Sequence, residues 1–237
     1  MSGKPHRVAV IQSNYLPWKG YFDIIHDVDE FIFYDDVQFT ASDWRTRNRI
    51  KTPQGVQWLS VPAGPSPNRL ICEVMLPDPR WQKKHWQSLR QNYSKAPHFD
   101  SCREFLEHSY LGMTWTSLSD LNQYLIRHIA TDLLGIGTVF SDSRRHAPQG
   151  QKLDRLLDLL IKAGATSYVS GPNARDYIEP ARFAAMGIEL RYKDYSDYPT
   201  YPQLYPPFEH AVSIIDLLCN TGSRAPEYIW GHRETAC

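Results

Sequence analysis

Short apolar runs alternate with longer amphipathic segments along most of the chain. Five runs have the length and β-branched content of buried strands, at 7–12, 30–34, 138–141, 167–170 and 188–192. Three segments repeat apolar residues at helical spacing, at 18–27, 150–163 and 179–186. Because strands that alternate with helices favour a parallel sheet covered on both faces, the pattern predicts a three-layer α/β fold with a mostly parallel sheet.

Two stretches depart from this alternation. Residues 48–51 and 57–61 flank Thr52-Pro-Gln-Gly55, a turn signal that predicts a small β-hairpin. Residues 70–76 indicate a further strand, and the segment at about 78–135 is largely helical. Helices are expected in that segment at about 80–92, 98–111 and 116–134.

The end of the chain returns to simple elements. A loop rich in Tyr and Pro at 195–207 precedes a helix expected at 210–219. No internal repeat or low-complexity segment separates the parts of the chain. We therefore expect a single α/β domain over 1–237, with the helical stretch at about 78–135 as an insertion.

Composition narrows the classes of partner. Lys plus Arg number 26 and Asp plus Glu number 26, so the formal net charge is zero, and no basic stripe suggests a nucleic-acid partner. Neither a transmembrane run nor the apolar core of a signal peptide is evident, so we expect a cytoplasmic protein without a membrane partner. We expect a small-molecule substrate instead, and the sequence leaves the oligomeric state open.

Cysteines and cofactor motifs add little chemistry. Cys72, Cys102, Cys219 and Cys237 are far apart and form no C-x-x-C pair, so free thiols are expected and a structural zinc site is not. The chain has no G-x-G-x-x-G turn, Walker P-loop or H-E-x-x-H helix. No cofactor is therefore assigned.

Polar residues follow the first predicted strand at the point where it ends. Gln12, Asn14 and Tyr15 form one such group. In an open α/β sheet, the carboxyl ends of parallel strands border the crevice in which ligands bind. These side chains could hydrogen-bond a substrate, or they could cap the backbone of their own loop.

The second predicted strand ends in Asp35, Asp36 and, two residues later, Gln38. A carboxylate here could act as a general base, accept a ligand hydroxyl, bind magnesium or cap the loop. Adjacent residues on a strand point to opposite faces, so Asp35 and Asp36 are not expected to form one dyad. We take both as catalytic candidates and assign no metal, because no third ligand follows at suitable spacing.

A basic and aromatic group lies between the second strand and the hairpin. Trp44, Arg45, Arg47 and Asn48 combine an indole, two guanidinium groups and an amide within five positions. Arginine suits bidentate recognition of phosphate or carboxylate. This group is either a substrate-binding loop or a solvated charged loop.

Two later segments complete the candidate site. Ser170 and Gly171 end another predicted strand, where they could form an anion-binding turn or a tight turn without a ligand. Ser213, Asp216 and Asn220 recur at helical spacing on one face of the last helix. Such a polar stripe is either a solvent face or a wall of the crevice, and we include Asp216 and Asn220 among the substrate-binding candidates.

Two of these segments also carry a family resemblance. Gln12-Ser-Asn-Tyr-Leu-Pro-Trp-Lys-Gly-Tyr-Phe22 and Phe31-Ile-Phe-Tyr-Asp-Asp-Val-Gln38 resemble the N-terminal signature of the WbqC-like family, with Ser13 at a position where that family favours proline. The resemblance continues at Asp43-Trp-Arg45, Arg47-Asn48, Trp58-Leu-Ser-Val-Pro62, Tyr168-Val-Ser-Gly171 and Ser213-Ile-Ile-Asp-Leu-Leu-Cys-Asn-Thr-Gly222. It implies a role in bacterial surface-polysaccharide or specialised-metabolite pathways.

Three hypotheses of function follow. The first is a transferase that joins an acyl or aminoacyl-type group to an amine or hydroxyl of a sugar nucleotide or small metabolite, with Asp35 or Asp36 as the base and Arg45 and Arg47 holding the anionic part. The second is an adenylate-forming or nucleotidyl-transferring α/β enzyme, although Tyr15-Leu-Pro-Trp18 stands where such domains carry an H-x-G-H motif. The third is a non-catalytic ligand-binding partner of a biosynthetic enzyme, which the absence of an evident nucleophile favours.

Overall fold

The computed structural model describes residues 5–65, 68–176 and 178–234. Within these ranges the strands are β1 Arg7–Ile11, β2 Glu30–Phe33, β3 Arg47–Thr52, β4 Gly55–Ser60, β5 Val139–Asp142, β6 Ser167–Ser170 and β7 Glu189–Tyr192. The α-helices are α1 Lys19–His26, α2 Arg80–Tyr93, α3 Phe99–Glu107, α4 Leu118–His128, α5 Lys152–Lys162, α6 Pro180–Ala185, α7 Ile214–Thr221 and α8 Gly231–Glu234.

Five strands form one parallel sheet in the order β5-β2-β1-β6-β7. The predicted mostly parallel sheet is confirmed. Its first two strands, β1 and β2, are neighbours, with Val8 paired to Glu30 and Ile11 to Phe33. The predicted hairpin is also confirmed, because β3 and β4 pair antiparallel as a separate two-stranded sheet.

Alternate residues of the sheet enter two different apolar layers. Ala9, Phe31 and Phe33 pack on the side of α1, the insertion helices and α7. Val8 and Ile32 pack on the other side, with α5 and α6. Because side chains alternate between the two faces of a strand, the sheet packs against helices on both faces. The predicted three-layer architecture is therefore confirmed.

The strand order reverses direction at β1. From β1 the chain moves through β2 to β5 on one side, then crosses back through α5 to β6 and β7 on the other side. β1 and β6 pair only at Arg7–Ser167 and Val8–Tyr168, whereas β6 pairs with β7 along its whole length. The two central strands therefore separate toward their carboxyl ends, which opens a crevice at the topological switch point.

The predicted strand at 70–76 is wrong. This segment contains a 3₁₀ turn at Ile71–Glu73, and its β-type contacts are isolated bridges to the loop after β2 and to the start of α4. Its backbone bonds go to two different neighbours: Ile71 N–H donates to Val37, and Leu76 N–H donates to Thr116. The buried side chains Ile71, Val74 and Leu76 resemble a strand pattern because the segment crosses the core as a linker.

Three helices occupy the predicted insertion. Both α3 and α4 continue into a π-helical turn, at His108–Gly112 and Ile129–Leu133. The last predicted helix starts later than expected, at Ile214, because the Ser213 hydroxyl caps it by accepting from Ile215 N–H. No helix within the described residues combines the length and apolar character needed to cross a membrane.

The thiols of Cys72, Cys102 and Cys219 are free. Cys237 lies outside the described residues.

Candidate functional site

A cavity of about 850 Å³ occupies the crevice where β1 and β6 separate. Gln12 from the end of β1 and Ser170 and Gly171 from the end of β6 line it, as do Trp18 and Tyr21 from the start of α1. The cavity therefore lies where an open α/β sheet places its ligand, between strand ends at the switch point. Its volume falls within the range of small-molecule sites, about 300–1,000 Å³.

Several polar groups at this cavity are available to a ligand. Within the described part of the chain, the Gln12 amide, the Ser170 hydroxyl and the Tyr195 hydroxyl have no hydrogen-bond partner, although Ser170 is only 5% exposed. Burial raises the pKa of Tyr195, with a further contribution from Asp23 and Asp27, so this phenol stays protonated as a donor. Gly171 does not have positive φ, and a Cβ there would make ordinary contact with the Tyr195 hydroxyl at 3.7 Å.

Charged groups at the cavity come from helix starts. Lys152, the first residue of α5, lines the cavity with φ of 50°, a left-handed conformation that is uncommon outside glycine. Glu179, which directly precedes α6, also lines it and is exposed. The N-terminal turns of α1 and α5 both border the cavity, and helix N-termini favour negative charge.

Trp18 holds a fixed position between cavities. Its indole lies over Gly20, where any Cβ would overlap the ring, and it packs edge-on against Tyr195 at 5.0 Å. Trp18 also lines a second cavity of about 280 Å³, together with Asn14, Trp44 and Asn48. The two cavities therefore share the Trp18 side chain as a wall.

Asp35 is fully buried and does not line either cavity. Its carboxylate accepts hydrogen bonds from Ser13 N–H at 2.8 Å, from the Ser119 hydroxyl at 2.5 Å and from Gln123 Nε2 at 3.1 Å. These bonds tie the loop after β1 to α4.

Asp36 points to a different part of the molecule. It accepts from the Ser143 hydroxyl and pairs with Arg155 of α5, both at 2.5 Å. The pair links the end of β2 to the helix whose first turn borders the large cavity. Tyr34, two residues before Asp36, lines that cavity, and burial raises its pKa.

Tyr15 and Asn48 shape the loop after β1. The Tyr15 side chain is fully buried, and its hydroxyl bonds to Tyr110 and, at 2.8 Å, to His85 Nδ1. Asn48 Nδ2 donates to the carbonyl groups of Tyr15 and Leu16, at 3.3 and 2.8 Å. Leu16 has φ of 42°, so the Asn48 amide supports a strained turn beside both cavities.

The remaining candidates between 38 and 47 lie near the surface. Gln38 is exposed and bridges to Leu70, away from the residues that line the cavities. Arg45 pairs with Asp43 in its own loop. Arg47 lies 4.5 Å over the ring of Trp58.

Asp216 belongs to a buried polar network rather than to a crevice wall or a solvent face. It accepts from Tyr93 at 3.0 Å, Tyr201 at 2.6 Å and Gln203 at 2.7 Å, and burial raises its pKa. Asn220 donates to the Asp216 carbonyl at 2.7 Å. The two side chains are therefore partnered within the protein.

Of the predicted site residues, the structure brings Gln12, Ser170 and Gly171 to the large cavity and Asn14, Trp44 and Asn48 to the small one. Sequence reasoning missed Trp18, Lys152, Glu179 and Tyr195 at the large cavity. Tyr195 begins the loop rich in Tyr and Pro that was predicted at 195–207, and Trp18 begins the helix predicted at 18–27. No local pattern marked Lys152 or Glu179 as site residues. No three His, Cys, Asp or Glu side chains converge as metal ligands would in the parts of the chain described above.

Comparison with known proteins identifies a family for the chain. The family model of the WbqC-like protein family matches residues 12–228, from the residue after β1 to the segment between α7 and α8. The chain belongs to this family. A Mycobacterium tuberculosis protein named "Uncharacterized protein Rv1507c" is 46% identical to this WbqC-like chain over 225 residues, covering 94% of this chain and 97% of the relative. No solved structure matches the chain.

Proposed function

We propose that this WbqC-like protein is a transferase that binds a nucleotide-linked substrate in the cavity between β1 and β6. The supporting observation is the position of that cavity. When the five parallel strands are numbered one to five along the chain, their order in the sheet is 3-2-1-4-5. The cavity lies beside the first of them, where the order reverses. Mononucleotide-binding halves of doubly wound folds use this place for their ligand.

The lining suits the parts of such a substrate. Trp18, Tyr21 and Tyr195 offer aromatic faces to a base or sugar ring. The first turns of α1 and α5, together with the Lys152 ammonium, favour phosphate oxygens. The Gln12 amide and the Ser170 hydroxyl remain to hydrogen-bond ribose or sugar hydroxyls.

The transferred group is an acyl or aminoacyl type, and its acceptor is an amine or hydroxyl. A general base takes the proton from the acceptor as it attacks the acyl carbon, and the leaving group departs with the bonding electrons. Glu179 is the carboxylate that lines the cavity among the described residues, so we give it this role. Asp35 and Asp36 are given positioning roles, because their oxygens are held by protein donors outside the cavity.

Isothermal titration calorimetry with UDP, CDP and ADP and their sugar conjugates tests the binding step. Ser170→Ala should lower the affinity for the nucleotide by about 3- to 10-fold, because one hydrogen bond is lost, and should leave the melting temperature unchanged. Ser223→Ala, an exposed serine outside both cavities, is the matched control. Absence of binding across the panel, or equal affinity in Ser170→Ala, would contradict the proposal.

Glu179→Gln separates catalysis from binding. Once a donor and acceptor are found, this variant should keep nucleotide affinity within about 3-fold and lose turnover by about 100-fold or more. Unchanged turnover would remove Glu179 from the reaction. Retained binding without any turnover in the wild type would favour a non-catalytic partner.

The same geometry favours a second candidate, an adenylate-forming or nucleotidyl-transferring enzyme. The doubly wound strand order is its supporting observation. ATP-dependent release of pyrophosphate in the presence of carboxylic acids is its test. Release by the wild type and its loss in Ser170→Ala would replace the transferase proposal.

A further inference from the structure

Two neighbouring indole rings are exposed near the small cavity, one in the loop before β3 and one on the outer face of the β3–β4 hairpin. Trp44 is 49% and Trp58 is 44% exposed, and their ring centroids lie 5.7 Å apart with a tilt of 35°. The Arg47 guanidinium covers Trp58 at 4.5 Å. We call these three residues the indole surface.

Local structure explains why the rings face outward. In β3 and β4, Ile50 and Leu59 are buried on the inner face, so Trp58, paired with Arg49, falls on the outer face. Trp44 is held by its carbonyl group, which accepts from Tyr15 N–H at 2.9 Å. The exposure is therefore set by the register of the hairpin and by the loop after β1.

Two adjacent exposed indoles on a surface are unusual and favour a ligand. Each indole offers a large apolar face, and contiguous exposed apolar patches mark interaction sites. Arg47 forms no ion pair in the described part of the chain, so its charge is available to an anion. The Asn14 amide at the small cavity also lacks a protein partner there.

We propose that the indole surface and the small cavity together bind a sugar ring that carries an anionic group. The apolar C–H face of the ring packs on Trp44 and Trp58, the carboxylate or phosphate meets Arg47, and a ring hydroxyl bonds to Asn14. A cavity of about 280 Å³ suits one sugar ring rather than a chain of several.

The proposed sugar site is distinct from the proposed nucleotide site. Trp18 lines both cavities and separates the small one from the large one. The sugar site itself does not depend on what occupies the large cavity.

The full chain is titrated with methyl α-D-glucuronide, glucose 6-phosphate and neutral methyl α-D-glucoside by calorimetry and saturation-transfer NMR. Both anionic sugars should bind more tightly than the neutral glycoside. Trp44→Ala and Trp58→Ala should weaken binding of the anionic sugars by about 3- to 10-fold. Arg47→Gln should reduce the preference for the anionic sugars, and Arg47→Gln combined with Arg49→Gln should abolish it, because the Arg49 guanidinium also lies over the Trp58 ring, at 5.8 Å.

Matched controls come from other exposed positions. Met186→Ala at the end of α6 and Arg103→Gln on α3 should leave sugar affinity unchanged. All variants change exposed or half-exposed side chains, and a melting curve for each confirms folding. Failure of both anionic sugars to bind, or equal binding of the neutral glycoside, would overturn the proposal.

The UDP titration distinguishes this proposal from the proposed function. If sugar binding depends on Trp44 but the protein does not bind nucleotides, the proposed sugar site is supported and the proposed transferase is contradicted. Nucleotide binding without sugar binding would do the reverse. Sedimentation that shows a dimer in the wild type and a monomer in Trp58→Ala would assign the surface to a second copy and overturn the proposal.

Discussion

Replacing Asp35 tests whether this carboxylate supports the fold or performs chemistry. Its two oxygens accept from Ser13 N–H, the Ser119 hydroxyl and Gln123 Nε2, and the side chain is fully buried. In Asp35→Ala, the Ser13 N–H loses its acceptor and cannot turn away. The Gln123 amide keeps bonds to Ser119 and Asp142, both at 3.1 Å.

The expected destabilisation follows from these partners. A hydrogen bond to a charged group contributes about 1.5–3 kcal/mol, and a stranded buried donor costs about 1–3 kcal/mol. Since one donor is stranded and two can partly adapt, Asp35→Ala should lower the free energy of unfolding by about 3–4 kcal/mol. Asp35→Asn keeps an acceptor for Ser13 and should lose about 1–2 kcal/mol.

Urea unfolding followed by circular dichroism measures both values, and the melting temperature of Asp35→Ala should fall by about 10 °C. Asp197→Ala, at an exposed carboxylate, is the control. A free energy of unfolding for Asp35→Ala that lies within about 1 kcal/mol of the wild-type value would contradict this prediction.

Three further predictions concern buried charge. Burial lowers the pKa of His85 to about 4, below the value of about 6.5 in the unfolded chain, so the stability linked to its neutral ring is present above pH 6.5 and is lost as pH falls. The free energy of unfolding should therefore drop by about 2 kcal/mol from pH 7 to pH 5. In urea titrations, His85→Gln should lack this part of the pH dependence. Burial lowers the pKa of Lys19 to about 8, so the cost of burying its charged ammonium is relieved as pH rises toward the unfolded value of about 10.5. Between pH 7 and 9.5 the free energy of unfolding of the wild type should rise by about 2 kcal/mol relative to that of Lys19→Met. The same pH dependence in both proteins would contradict this. Asp36→Ala leaves the half-buried Arg155 unpaired and should cost about 2 kcal/mol, whereas Asp36→Ala combined with Arg155→Met should restore part of it in the same assay.

The central strands of the sheet could be predicted because they are largely buried on both faces. The runs that became β1 and β2 are apolar over most of their length, and the observed ends of β1, β2 and β6 differ from the predicted ones by at most one residue. The order of the strands in the sheet was not predicted. It depends on where α5 crosses the sheet, which local periodicity does not contain.

The strand wrongly predicted at 70–76 shows the limit of apolar pattern alone. Ile71, Val74 and Leu76 are buried, yet no continuous ladder runs beside them. A linker that crosses the core needs the same apolar side chains as a strand. Only the partners of its backbone, in the loop after β2 and at the start of α4, distinguish the two.

Candidate site residues were predicted from strand ends, and that rule does not tell a ligand contact from an internal one. Gln12 and Ser170 have side chains available at the cavity, whereas Asp35 is satisfied by Ser119 and Gln123, more than eighty positions away in sequence. A polar residue at a strand end has the same local pattern in both cases. Glu179 was missed because it follows no strand directly.

The segment after β1 contains both residues that line the cavities and residues that support the turn. Gln12, Asn14 and Trp18 line the cavities. The side chains at the intervening positions 13, 15 and 16 are buried, and the carbonyls of Ser13 and Leu16 accept from Asn122 and Asn48. Bonds from distant helices and from the hairpin thus hold a strained turn in place before any ligand arrives, which reduces the entropy lost on binding. Substitutions at the buried positions should therefore change stability first, while those at the cavity positions should change affinity first.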